Sequence, residues 1–251
     1  MWQMIQLQKL LLIEARTFIK NSLTFFFSFI FPLFLMVVVM LTSGNPQITD
    51  HYLLINRYIV ISFILGLTPL TLMTFSVSIA AEQEFGILER LKLFKIRMID
   101  ILIAKILMNV LAMCLQLIVI TAFAFFFFDF VFPPPHVLLV FLICYFLVAF
   151  NLFLIAWLIA MIFKSIAQVQ VIGMTLMFIM LALSGAFGDL GALPDILEHV
   201  RFFIPTYDLS ATITSYWLGE PVSVIPIIIK YIVANVLLIG LMFLNRNFRR
   251  R

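Results

Sequence analysis

Residues 101–128 read ILIAKILMNV LAMCLQLIVI TAFAFFFF, a run of 28 residues with one formal charge, Lys105, near its start. As a helix it would measure about 42 Å at roughly 1.5 Å per residue, ample for a hydrocarbon core of about 30 Å. Five further runs of this kind lie on either side. By hydropathy the six spans fall near Leu23–Thr42, Tyr58–Ala81, Ile101–Phe128, Val137–Phe163, Gln168–Phe187 and Ile225–Leu244. Turn signals separate them: Ser43-Gly44-Asn45-Pro46 follows the first, and Pro133-Pro134-Pro135 parts the third from the fourth. The whole chain of 251 residues is 65% hydrophobic and 11% charged, with a mean hydropathy of +1.20. That excludes a soluble globular protein, a disordered chain and a secreted disulfide scaffold. The expectation is one all-α integral membrane domain over residues 1–251, with too little polar chain left for a separate soluble unit. The first stretch is interrupted by Lys9, Glu14, Arg16 and Lys20 and does not read as a signal peptide.

Lys and Arg are retained on the cytoplasmic side, and thirteen of the sixteen fall on one side of this six-span arrangement. Arg57 and Arg201 fall on the other side, and Lys230 lies inside the sixth span. Both termini are therefore expected in the cytoplasm. The net charge of +4 reports topology and calls for no nucleic acid.

The segments between spans are informative. The first 20 residues form a basic amphipathic pattern, with Met4, Leu7, Leu11 and Phe18 on one face and Lys9, Arg16 and Lys20 opposite, suited to lying along headgroups. Glu14 sits at the margin of the apolar stripe. After the second span, Ile87, Leu91, Phe94 and Met98 make a narrow apolar stripe among charges, with Glu89 and Lys92 spaced to pair. Such a short cytoplasmic helix either docks into a groove of another protein or is a solvated loop. The stretch from Gly188 to Val224 is long for an external loop and modestly polar. It reads as two short helices dipping into the outer half of the membrane, the second capped by Asp208 or Ser210. They form either an outer gate or an interfacial belt.

Motifs of catalysis are missing from the sequence. It holds no GxxxxGK[ST], GxSxG or HExxH, so the chain is expected not to be an enzyme and not to bind ATP itself. Cys114 and Cys144 lie apart in apolar runs and the three histidines are scattered, so no metal site is expected. None of the twelve carboxylates is central in a span, which argues against an ion-coupled carrier. Lys230 is about one turn inside the outer end, where snorkelling would account for it. Asn109, Gln116 and Asn151 enter the membrane and serve either helix packing or the lining of a path. The run Phe123–Phe128 is expected to face lipid rather than to form an aromatic substrate site.

Two motifs carry a resemblance. The first is Glu82-x-Glu84-x-Gly86-x-Leu88-Glu89-x-Leu91, with Ala104-Lys105 after it. The second is Leu183-Ser184-Gly185, then Leu193-Pro194, then Pro205-Thr206-Tyr207. With six spans and an amphipathic start, the chain resembles the ABC-2 type membrane permease along essentially its whole length. Ile87 stands where that family often has Thr, and a proline common shortly after the first motif is missing.

The resemblance implies the permease subunit of a bacterial ABC exporter in the plasma membrane, with ATP and Mg held by a separate ABC ATP-binding subunit. It implies a second permease copy, as a homo- or heterodimer. Glu82, Glu84, Gly86, Leu88, Glu89 and Leu91 would form a coupling helix, over Glu82–Lys92. Leu193, Pro194, Pro205, Thr206 and Tyr207 would belong to an external gate. A drug or antimicrobial peptide suits the apolar interior, and a polysaccharide or lipid-linked intermediate is the alternative. A channel or immunity-type protein working without ATP is the reading of another class.

Overall fold

In lipid, a chain of this composition satisfies its backbone polar groups only by closing them within helices. The computed structural model is helical throughout and describes residues 2–42, 48–87, 98–163, 165–185 and 195–248. Six helices are long and apolar enough to cross a membrane: Ser22–Leu41, Leu54–Glu84, Asp100–Phe128, Pro135–Ile162, Ile166–Leu183 and Ile225–Met242. The chain is a multi-pass membrane protein. Its second span is buried on all sides by the others, whereas the sixth lies at the periphery against the fourth.

The sequence explains the breaks. An amino-terminal helix, Trp2–Lys20, stops at Asn21, whose side chain accepts a hydrogen bond from the Thr24 amide at 3.3 Å and starts the first span. Phe18 of that helix is buried and Leu11 half-buried while Arg16 and Lys20 are exposed, as the amphipathic pattern asks, although Leu12, Ile13 and Ile19 are exposed as well. Those of Met4, Leu7 and Lys9 lie outside them. The third helix ends at Asp129, which takes φ +52, a conformation Asp tolerates. Pro135 then opens the fourth in the first-turn position.

Two spans contain π-helical turns, at Phe26–Ile30 and Leu70–Phe75. Each adjoins a proline, Pro32 and Pro69, that has no amide to give to the carbonyl four residues back.

The second span runs past its expected end at Ala81 to Glu84, because no breaker occurs before Gly86. Gly86 takes φ +62, and a Cβ there would meet nothing within 4 Å, so the demand is on the backbone rather than on space. Glu82 and Glu84 therefore close the second span instead of opening a separate helix. Leu88, Glu89 and Leu91 lie outside the described residues, as do Leu193 and Pro194.

The returning segment before the sixth span forms a helix at Asp195–Arg201 and then a continuous helical run through Pro205–Asp208, Leu209–Ile213 and Thr214–Trp217. The expected cap at Asp208 or Ser210 is not used. The helix starts at Pro205 behind an extended Ile204, and both polar side chains bond to other helices instead. Phe125, Phe126 and Phe127 point outward, as lipid-facing phenylalanines should, whereas Phe123 and Phe128 are half-buried against the core.

Candidate functional site

At the amino-terminal end of the bundle a lysine gathers three helices. Lys105, one turn into the third span, extends its ammonium to Glu14 Oε1 of the amino-terminal helix at 2.7 Å. The same Nζ lies 3.0 Å from Glu82 Oε1 at the end of the second span and 3.1 Å from Ser78 Oγ one turn earlier. The Lys105 side chain is 4% exposed. A buried ammonium is tolerable only when paired and hydrogen-bonded, and here two carboxylates and a hydroxyl do both. Two carboxylates against one ammonium leave the cluster with a formal charge of −1.

Two residues on, Glu84 Oε2 accepts the backbone N–H of Ile166 at 2.5 Å. Ile166 is the first helical residue of the fifth span, so Glu84 satisfies an amide that the helix cannot pair and sits at the positive end of its dipole. The turn at Phe85-Gly86 follows, held by the Phe85 amide to the Ala81 carbonyl at 3.0 Å. One helical turn, residues 82–86, thereby connects the amino-terminal helix, the third span and the fifth span.

The opposite end is built the same way with the roles reversed. The last carbonyls of the fifth span have no intrahelical donors. The returning segment supplies donors at this end: Arg201 Nε to Leu183 O at 3.0 Å and Ser210 Oγ to Ser184 O at 2.5 Å, while Thr206 Oγ1 adds a second bond, at 3.1 Å, to Met180 O, which already accepts the Ser184 amide. The Arg201 guanidinium also lies over the Tyr207 ring. The sixth span grips the same segment. Lys230 pairs with Asp208 Oδ2 at 2.6 Å, donates to the Phe202 carbonyl and covers the Phe202 ring, while the Tyr231 hydroxyl donates to Pro205 O at 3.1 Å and to Asp208. Snorkelling is thus not what keeps Lys230 in place. It turns to a carboxylate on a neighbouring helix, which has more to offer an ammonium at that depth than headgroup water alone.

Trp217, at the end of the segment, donates to Asn56 Oδ1 at 2.8 Å and packs edge-on against Phe141 at 4.9 Å.

Between these ends the neutral polar side chains Gln116 and Asn151 bond helix to helix. Gln116 donates to Phe63 O at 3.0 Å and accepts from Tyr145. Asn151 donates to Asn235 Oδ1 at 2.9 Å, which ties the fourth span to the sixth. Asn109 donates to Lys105 O within its own helix at 2.9 Å. All three are buried in this chain.

The structure brings together Glu82, Glu84 and Gly86 at one end and Pro205, Thr206 and Tyr207 at the other. The partners Glu14, Ser78, Lys105, Asp208 and Lys230 complete these sites. Four of them carried a signal in the sequence, Lys105 in the first motif, Glu14 on the margin of the amphipathic helix, Asp208 at an expected cap and Lys230 where snorkelling was expected, but none carried a signal for its partner.

A family model, the ABC-2 type transporter, matches residues 5–210. The chain belongs to the ABC-2 type transporter family. No curated protein and no solved structure matches it. As an ABC-2 permease it is a membrane transport component rather than a catalyst, and the family implies association with an ABC ATP-binding subunit. Both polar sites fall within the matched region except for Lys230 and Tyr231, which the sixth span adds from beyond it.

Proposed function

We propose that this permease is the membrane-spanning half of a bacterial ATP-driven exporter, with its termini in the cytoplasm. It works as a dimer with a second permease, driven by a separate ABC ATP-binding subunit that carries ATP and Mg. The cargo is hydrophobic or amphipathic, of the drug or antimicrobial-peptide kind, in keeping with the apolar interior. The carrying observation is the turn Glu82–Gly86, whose carboxylates reach inward to Lys105 and to the start of the fifth span.

On this reading the motif has two parts. Gly86 and the residues after it, Leu88, Glu89 and Leu91, meet the ATP-binding subunit. Glu82 and Glu84 pass the displacement into the bundle. A push at the turn acts on the amino-terminal helix and third span through Lys105, and on the fifth span through Glu84. The fifth span is held at its far end by Thr206, Arg201 and Ser210. It is therefore the helix through which closure of the ATP-binding subunits would reach the outer segment.

The test is affinity purification of the tagged chain from its native membrane in mild detergent, with identification of what co-purifies. Wild type should bring down a P-loop ATPase in stoichiometric amount. Glu89→Lys should insert normally and lose that partner. Reproducible absence of any ATPase with the wild-type chain would overturn the proposal.

A further inference from the structure

Serine and threonine in a helix commonly quieten their hydroxyls by donating to the carbonyl one turn back. Three side chains of the second span do so: Thr68 to Ile64 O at 2.8 Å, Thr71 to Leu67 O at 3.0 Å, and Ser76 to Leu72 O. Against this internal standard four buried oxygens stand out. Thr24 Oγ1, Ser28 Oγ, Thr74 Oγ1 and Asn109 Oδ1 make no hydrogen bond to the protein. Thr24 and Ser28 are fully buried, and Thr74 and Asn109 nearly so.

The four lie along one seam. Lys105 bonds to Ser78, which fixes the register of the third span against the second. One turn inward from each of these residues brings Asn109 level with Thr74. Further in, Gln116 bonds to Phe63. A Cβ added at Gly66 would overlap Gln116 Nε2 and lie 2.5 Å from Ser28 O, so Ser28, Gly66 and Gln116 share one level. Thr24 is one turn from Ser28 on the same face and falls between the two levels. From Asn109 to Gln116 the seam rises about 10 Å at 1.5 Å per residue. Ser28 and Thr74 sit inside the two π-helical turns, where the backbone is widened.

We infer that the first three spans enclose a file of bound water molecules held by Thr24, Ser28, Thr74 and Asn109. A buried hydroxyl or amide oxygen without a partner costs several kcal/mol in a medium that offers none. Four in one seam call for an occupant with both donors and acceptors. Water meets both needs. A metal cation fits less well, because each coordinating hydroxyl would still have a proton to donate and the seam holds no free carboxylate. The file starts one turn above the Glu14–Lys105–Glu82 cluster and brings solvent to spans otherwise packed with Leu, Ile and Phe. Hydrogen bonds through water reform with little penalty after a shift, so this is the seam along which the first span would slip against the second and third.

The test is a cryo-electron microscopy map of the full chain in lipid nanodiscs, at a resolution that shows ordered water, with thermal unfolding of two substitutions. Peaks within about 3.2 Å of Thr24 Oγ1, Ser28 Oγ, Thr74 Oγ1 and Asn109 Oδ1 are expected. Thr24→Val keeps the shape and removes the hydroxyl, so it should lower the unfolding midpoint by about 2 °C or more. Thr24→Ser keeps the hydroxyl and should lower it less. A map without density between these oxygens overturns the inference. So does a midpoint that rises in Thr24→Val, which is what removing a dry, unpaired hydroxyl does. A peak with the short distances and higher coordination of a metal ion also overturns it.

Discussion

Lys105 offers the sharpest test of how the Glu82–Gly86 end of the bundle is held. Replacing it with Met keeps an unbranched apolar stem one atom shorter and removes the ammonium. Because Lys105 Nζ lies 2.7 Å from Glu14 Oε1 and 3.0 Å from Glu82 Oε1, those two oxygens are at most about 5.7 Å apart. Without the ammonium, two carboxylates at that separation repel by about 3 kcal/mol at an effective dielectric of about 20. This agrees with the roughly 3–5 kcal/mol for removing one partner of a buried ion pair. Glu14→Gln is a milder change, since it leaves the Glu82–Lys105 pair and an amide oxygen that still accepts, and should cost about 1 kcal/mol. At about 2–4 °C per kcal/mol for a chain of this size, Lys105→Met should lower the unfolding midpoint by about 6–12 °C and Glu14→Gln by about 2–4 °C. The triple change Glu14→Gln, Lys105→Met, Glu82→Gln removes the repulsion and should regain most of the loss. The assay is thermal unfolding of the purified chain in one detergent at fixed pH and salt. A Lys105→Met midpoint within about 1 °C of wild type, or a triple mutant no better than Lys105→Met alone, would refute the reasoning.

Gly86→Val forces a β-branched residue to φ +62, a strain of about 1–2 kcal/mol at the turn that should abolish ATPase association and transport while leaving membrane insertion intact, as read by co-purification and fractionation. Gly66→Ala drives a methyl group into Gln116 and the Ser28 carbonyl and should lower the yield of folded protein by well over half, measured by fluorescence-detected size-exclusion chromatography; unchanged yield means the first three spans are not this close. A double-mutant cycle of Asn151→Leu and Asn235→Leu should return a coupling of about 0.6 kcal/mol, with about 1.7 kcal/mol as a ceiling, and a value near zero removes this contact between fourth and sixth spans.

The six spans were legible because lipid imposes a length and a composition, and each expected span contains most of an observed one. The ends were less so. Ala81 was expected to close the second span, but hydropathy falls at Glu82 while the helix does not, because a helix is stopped by a backbone event and that event is Gly86. The site around Glu82 and Lys105 was half legible. Its motif residues were marked by a family resemblance, yet the direction of Glu82 and Glu84 depended on Lys105 and Ile166, which are 23 and 82 residues away from Glu82 and Glu84 respectively. No local pattern encodes such pairings. Asp208 was expected to cap a helix because Asp commonly does, and the sequence held no sign that Lys230 on another helix would claim it first.

That claim sets an order of events during synthesis. Asp208 reaches the membrane 22 residues before Lys230 is made, so for a time its carboxylate has no ammonium to meet. A nascent chain halted before Ile225 keeps an acid in apolar surroundings and leaves Pro205 without the Tyr231 hydroxyl. The sixth span therefore completes the charge of the helices before it. Incomplete chains hold an unpaired acid that complete chains do not. In a pulse-chase, a chain ending at residue 224 should decay faster than the full chain, and Asp208→Asn should slow that decay while doing little for the complete protein. Equal lifetimes for both truncated forms would mean that the carboxylate is not what is noticed.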